Sequence, residues 1–134
     1  MKNKKLPIGY YLKKVDNLLT EGINQIHKEH NINRTQWQIL NSVKENPGIA
    51  REQIAGLLSE FDRKEAINQA ISNLVERGLI HENAALNLTS QGEELFEICL
   101  KKQTAFRQKA MKNITEEEYN QIIATLEKII ENLE

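Results

Sequence analysis

A chain of 134 residues is long enough for one hydrophobic core and too short for two separate catalytic domains. Its net charge of −1 argues against a globally basic nucleic-acid binder, so any contact with DNA has to come from a local patch. The single cysteine, Cys99, excludes an intrachain disulfide and agrees with a reducing compartment.

The N-terminus, MKNKKL, begins like the basic region of a signal sequence, but PIGYYLKKVDNLL is broken by charge before an apolar run forms. No stretch approaches the roughly 18 apolar residues of a membrane span, so a cytoplasmic protein without membrane contact is expected. Ile8, Tyr11, Leu12, Val15, Leu18, Leu19, Ile23 and Ile26 then recur at steps of three and four, the spacing of one helix face. This first helix starts just after Pro7 and runs to about residues 27–30.

Thr35 with Gln38 three residues later reads as a capping box opening a second helix, with Trp37, Leu40 and Val43 inward and the turn Asn46-Pro47-Gly48 at its end. From Ala50 a short third helix carries Ile54, Leu57 and Leu58. Asp62 is placed to cap a fourth helix over residues 62–77, with Ile67, Ala70, Ile71 and Leu74 as its buried stripe and Gly78 closing it. Residues 79–82 and 86–88 form a short hairpin around Asn83-Ala84-Ala85. Ser90 with Glu93 opens a long helix, and Thr115 with Glu118 caps the last one, striped by Tyr119, Ile122, Ile123, Leu126, Ile130 and Leu133.

A short helix, a turn, a polar-faced helix, a glycine and a hairpin make a winged helix-turn-helix, which lays its second helix in the major groove. The fold class is therefore mainly α, with a short β-hairpin wing. The apolar stripes of the flanking helices are too long for so small a core, and a homodimer is the economical way to cover them.

At this point the chain resembles the MarR family of transcription regulators. The matching stretches are "NRTQWQILNSVKENPGI", "REQIAGLL", "INQAISNLVERGLI" and "LNLTSQGEELFE", in that order, and the resemblance covers nearly the whole chain. It implies one domain, with residues 6–30 and 90–134 as dimerisation helices and 33–89 as the DNA-binding lobe. It further implies a homodimer on a pseudopalindromic operator, released by a small-molecule effector bound between the dimer helices and the lobe. Tyr11 and Trp37 are candidates to line that effector pocket.

Three features depart from the family pattern. The wing, "IHENAALNLT", is several residues shorter than usual and has no Arg to enter the minor groove. Ala50 stands where the family has a Ser or Thr cap. The polar helix has no net charge, because Arg63, Lys64 and Arg77 are offset by Asp62, Glu65 and Glu76. Lysines cluster elsewhere, at Lys2, Lys4, Lys5, Lys13 and Lys14 and again around Lys101, Lys102, Lys109 and Lys112.

The residues expected to carry DNA contact are those of the polar face. Asn68, Gln69, Ser72 and Asn73 offer directed hydrogen bonds to base edges, and paired amides suit the N6 and N7 of adenine. Arg51, Arg63 and Lys64 lie near the starts of two helices, where phosphates are favoured. The competing readings are a solvated face and local ion pairs to Glu52 or Asp62.

His27, Glu29 and His30 lack a clear third and fourth ligand for a metal, and Cys99 sits on an apolar stripe rather than in a reactive setting. No phosphate loop, nucleophile set or metal ladder is present, so neither an enzyme nor a cofactor is expected. The sequence therefore points to a DNA-binding transcription regulator, with double-stranded DNA, a second copy and an effector as partners. The alternative is a winged-helix protein-interaction or dimerisation module that binds DNA weakly or not at all.

Overall fold

The computed structural model describes residues 5–134; residues 1–4, with Lys2 and Lys4 of the first lysine cluster and most of the basic start, lie outside the described residues. The elements in chain order are α1 (Ile8–Glu29), α2 (Arg34–Glu45), α3 (Arg51–Leu57), α4 (Lys64–Glu76), β1 (Ile80–Glu82), β2 (Leu86–Leu88), α5 (Ser90–Ala110) and α6 (Glu116–Leu133). The architecture is mainly α, a winged helix-turn-helix between long terminal helices, as the periodicity predicts. No described helix is long and apolar enough to cross a membrane.

The helix starts show how local hydrogen bonds fix the chain's path, and several differ from the expected caps. α2 is opened by Asn33, not Thr35: Asn33 Oδ1 accepts from the Gln36 N–H at 2.8 Å while Gln36 Oε1 accepts from the Asn33 N–H at 2.9 Å. Two overlapping boxes of the same spacing competed here, and the asparagine box satisfies the earlier free amides. Thr35 is thereby released to donate its hydroxyl to Asp62 Oδ2 at 3.0 Å.

Asp62 in turn does not cap α4. It stands before the cap residue Arg63, whose N–H donates to Asp62 Oδ1 at 2.8 Å, so its carboxylate ties α2 to the α3–α4 turn. Ala50 heads α3 without a side-chain acceptor, and only Gln53 Oε1, accepting from the Ala50 N–H at 2.9 Å, serves this end. The cap of α5 is Thr89 rather than Ser90: its Oγ1 accepts from the Gly92 N–H at 3.0 Å and donates to the Gly78 carbonyl at 2.6 Å. Thr115 and Glu118 form the expected box at α6.

The core lies inside the lobe. Ile39, Leu40, Ile54, Ile67, Ile71, Leu74, Ile80 and Leu86 are fully buried, and Phe96 and Cys99 of α5 join them. Leu57, expected inward, is 56% exposed, because Ile54, Ala55 and Leu58 already form the inner line of so short a helix. β1 and β2 pair antiparallel, with Ile80 opposite Leu88, His81 opposite Asn87 and Glu82 opposite Leu86. Gly78, at φ +76, makes the left-handed turn from α4 into this wing.

α5 approaches that turn closely: a Cβ at Gly92 would stand 2.0 Å from the Leu79 carbonyl oxygen. Outside the lobe the picture reverses. Ile8, Val15 and Leu18 of α1 and Tyr119, Ile122 and Ile130 of α6 are exposed, and α6 has no buried residue.

Candidate nucleic-acid interface

Ile67, Ile71 and Leu74 press α4 onto the core, and helical spacing then turns Glu65, Gln69, Ser72 and Glu76 directly outward. All four of these outward residues are exposed. Asn68 and Asn73 occupy the two flanks of this line. The Asn68 flank faces α3 and the wing, through Arg51, and the Asn73 flank faces α2, through Gln36.

Arg51 is committed to contacts within the chain. Its Nε donates to Glu82 Oε2 at 3.0 Å and its NH2 to Glu82 Oε1 at 2.7 Å, a bidentate pair from the start of α3 to β1. Its NH1 donates to the Asn68 carbonyl at 3.0 Å and to Ser72 Oγ at 3.1 Å. The hydrogen bond from Arg51 holds the Glu82 carboxyl below its ordinary pKa, and the same bond raises that of Arg51. Arg51 therefore fastens the wing to α4, and its ion-pair partner is Glu82 rather than the Glu52 or Asp62 of the competing reading.

Arg63 and Lys64 are exposed at the start of α4 and make no ion pair among the described residues. Gln69 has no side-chain hydrogen bond among the described residues. Asn73 accepts through Oδ1 from Gln36 Nε2 at 2.8 Å. The wing exposes His81 and Asn87 on its outer side, and its tip is tightened by the Ala85 N–H donating to Asn83 Oδ1 at 2.9 Å.

Glu82 and Gln36 are the residues that sequence reasoning missed. Gln36 was legible, three positions after a capping Asn33; Glu82, 31 residues from Arg51, carried no local signal.

A second region lies where α1, α2 and α5 meet. Trp37 stacks between His27, at 5.7 Å between ring centroids, and Phe96, at 4.9 Å. With Leu19, Ile23, Arg34 and Arg107 it borders a crevice of about 440 Å³. Tyr11 does not line this crevice; it packs edge-on against Tyr10 and its hydroxyl oxygen accepts from the Leu6 N–H at 3.2 Å.

His27 is buried with Nε2 3.0 Å from the Gln103 amide nitrogen, and burial lowers its pKa. Glu29 and His30 turn instead toward Lys102, at 3.5 and 3.1 Å, and no group of His, Cys, Asp and Glu among the described residues is arranged to hold a metal. Cys99 is fully buried, which pushes its thiol pKa up.

Solved structures supply the comparison. The DNA complex of the Mycobacterium tuberculosis MarR family protein Rv2887 superposes with a TM-score of 0.75 at 19% identity, over 93% of this chain and 98% of that one. The chain has the MarR-family fold. MepR, a transcription regulator of the Staphylococcus aureus multidrug efflux pump MepA, gives a TM-score of 0.77 at 20% identity, over 96% and 100% of the two chains. Rv2887 in complex with salicylic acid gives 0.65 at 19% identity, over 93% and 99%. No protein-family model and no curated protein matches the sequence. The MarR-type fold is thus reached here with few residues in common.

Proposed function

We propose that the chain is a MarR-type transcription regulator that binds double-stranded DNA as a homodimer, with α4 in the major groove. The observation that carries this reading is the match over 93% of the chain to a MarR family protein in complex with DNA. In this reading residues 6–30 and 90–134 dimerise and 33–89 form the DNA-binding lobe. The exposed stripes of α1 and α6 support the dimer, since a monomer would leave Ile8, Ile122 and Leu133 in water.

Gln69, Ser72, Asn68 and Asn73 are the proposed base-reading or groove-lining group, and Arg63 and Lys64 the phosphate contacts. Arg51 acts mainly by holding Ser72 and the wing in place. A small-molecule effector occupies the crevice beside Trp37; that a protein of this fold is found in complex with salicylic acid supports the binding of a small molecule, and the crevice supports its place. The protein works in the cytoplasm and is not an enzyme.

The second reading, a winged-helix interaction or dimerisation module, is favoured by one specific observation: Glu65 and Glu76 stand on the outward line of α4, where they repel phosphates. Binding to sheared genomic DNA at low and moderate salt separates the two. A regulator enriches particular sites, and its affinity falls steeply with salt as phosphate contacts release counterions. An interaction module does neither, and that result removes the DNA reading. Light scattering adds the second check: a clean monomer of 15.5 kDa at micromolar concentration removes the dimer.

A further inference from the structure

Two side chains of the α4 face, Ser72 on its outward line and Asn73 on one flank, are each tied by a neighbour from another helix, Arg51 of α3 and Gln36 of α2. At Asn73 the fixing starts from a backbone group. The Asn33 N–H is an obligatory donor, so the Gln36 atom facing it at 2.9 Å is the amide oxygen. Gln36 then has only its NH2 to offer Asn73 at 2.8 Å, and the Asn73 atom receiving it is Oδ1. What Asn73 turns outward is its NH2, a donor.

At Ser72 the same logic runs from the other flank. Arg51 has no acceptor, so Ser72 Oγ accepts from NH1 at 3.1 Å with one of its two lone pairs, and the hydroxyl hydrogen, which finds no acceptor among the described residues, is left to donate to a partner.

Resting on the DNA-binding reading, we propose that α4 is wired as a donor at Asn73, with the free hydroxyl hydrogen of Ser72 beside it, and that it selects guanine there rather than adenine. Guanine presents two acceptors, N7 and O6, on its major-groove edge, whereas adenine presents N7 beside the N6 donor. An asparagine free to rotate would bridge N6 and N7 of adenine with one oxygen and one nitrogen. Asn73 is not free, because turning its oxygen outward sets its NH2 against the NH2 of Gln36. Base choice is thereby set by a residue of α2, through a hydrogen-bond chain that ends on a helix-capping amide.

The test is Gln36→Glu. A glutamate keeps the capping bond to the Asn33 N–H but offers Asn73 only acceptors, so the Asn73 amide must reverse and turn Oδ1 outward. Sequences selected from random duplex DNA by the parent should place guanine at one position of each half-site. Those selected by the variant should shift there to a base carrying a donor, adenine or cytosine, with a change in relative preference of about tenfold or more. Gln36→Leu, which removes the tie, should relax the choice without inverting it.

A structural arm needs no DNA. In the parent the Asn73 side-chain NH2 exchanges freely with solvent, and in Gln36→Glu its protons become protected. A variant that folds and keeps the parental guanine, or that loses affinity equally for all sequences, overturns the proposal while leaving DNA binding intact; in the second case Asn73 holds a phosphate. A parent that selects no sequence overturns the DNA reading and the base choice together. An Asn73 amide unaffected by Gln36→Glu overturns the wiring by itself.

Discussion

Ile71 in α4 and Ile122 in α6 occupy the same kind of position, mid-helix on an apolar stripe, yet Ile71 is fully buried and Ile122 is 55% exposed. The lobe closes over its own stripes because α2, α3, α4 and the hairpin are short and all contribute to one shared core. α1 and α6 are longer, 22 and 18 residues, and contribute no residue to that core. Periodicity reports which face of a helix is apolar; it does not report which molecule covers it.

The largest effect that sharpens this contrast is truncation at the two positions. Ile71→Ala should destabilise the lobe by about 2–5 kcal/mol, from lost transfer energy and the cavity left behind. Ile122→Ala should leave unfolding of the dilute chain nearly unchanged and weaken self-association instead. Denaturant unfolding at two protein concentrations reads both. Equal loss of stability at both sites, independent of concentration, would mean that α6 is covered within one chain.

Glycines give a second contrast, somewhat smaller. A Cβ at Gly92 meets the Leu79 carbonyl oxygen at 2.0 Å, and backbone cannot step aside, so Gly92→Ala should displace the start of α5 and lose about 1–3 kcal/mol. At Gly22 the obstacle is the Phe106 ring, also at 2.0 Å, where α1 meets α5 outside the core. That side chain can swing into open space, so Gly22→Ala should lose less. Thermal melts of both variants rank them.

These contrasts also mark what the sequence could disclose. Helix order, the Gly78 turn, the hairpin and the Thr115 box were legible because each rests on residues within a few positions of one another. The caps at Asn33 and Thr89 were misplaced by one or two residues, since neighbouring Asn, Thr and Ser side chains compete for the same free amides. At the candidate site the polar face of α4 was legible, and so was the lack of Arg in the wing. The Arg51–Glu82 pair was not, because it joins residues 51 and 82 across a tertiary contact that no spacing rule encodes. Of the two residues that the resemblance offered for an effector pocket, Trp37 borders a crevice and Tyr11, nearer the N-terminus of α1, does not.

The Arg51–Glu82 pair gives the next effect down. Both side chains keep about a quarter of their exposure, 26% and 28%, so solvent screens part of the attraction, and Arg51→Ala should lose about 1 kcal/mol. The more telling result is local. Hydrogen exchange of the wing amides should quicken while that of α2 stays unchanged. Because the folded-state pKa of Glu82 is lowered, its contribution is present above the unfolded value of 4.5 and is lost as pH falls through the lower folded value. A wing equally protected in parent and variant would show that the hairpin is held by its apolar contacts alone.

The smallest effect sits at the seam between the two regions. His27 belongs to α1, yet it is only 1% exposed, stacked on Trp37 of α2 and paired with Gln103 of α5. Burial disfavours the imidazolium and lowers the folded-state pKa below 6.5. As pH falls through 6.5 the unfolded chain therefore takes up a proton that the folded chain refuses, and stability falls with it. His27→Gln keeps a hydrogen-bonding partner for Gln103 and removes the titration. Denaturant midpoints measured at about pH 7.5 and about pH 5.5 should drop more for the parent than for His27→Gln, and the difference between the two drops isolates His27 from the other titrating groups. Equal drops would mean that the seam opens enough in the folded state for His27 to be protonated in place.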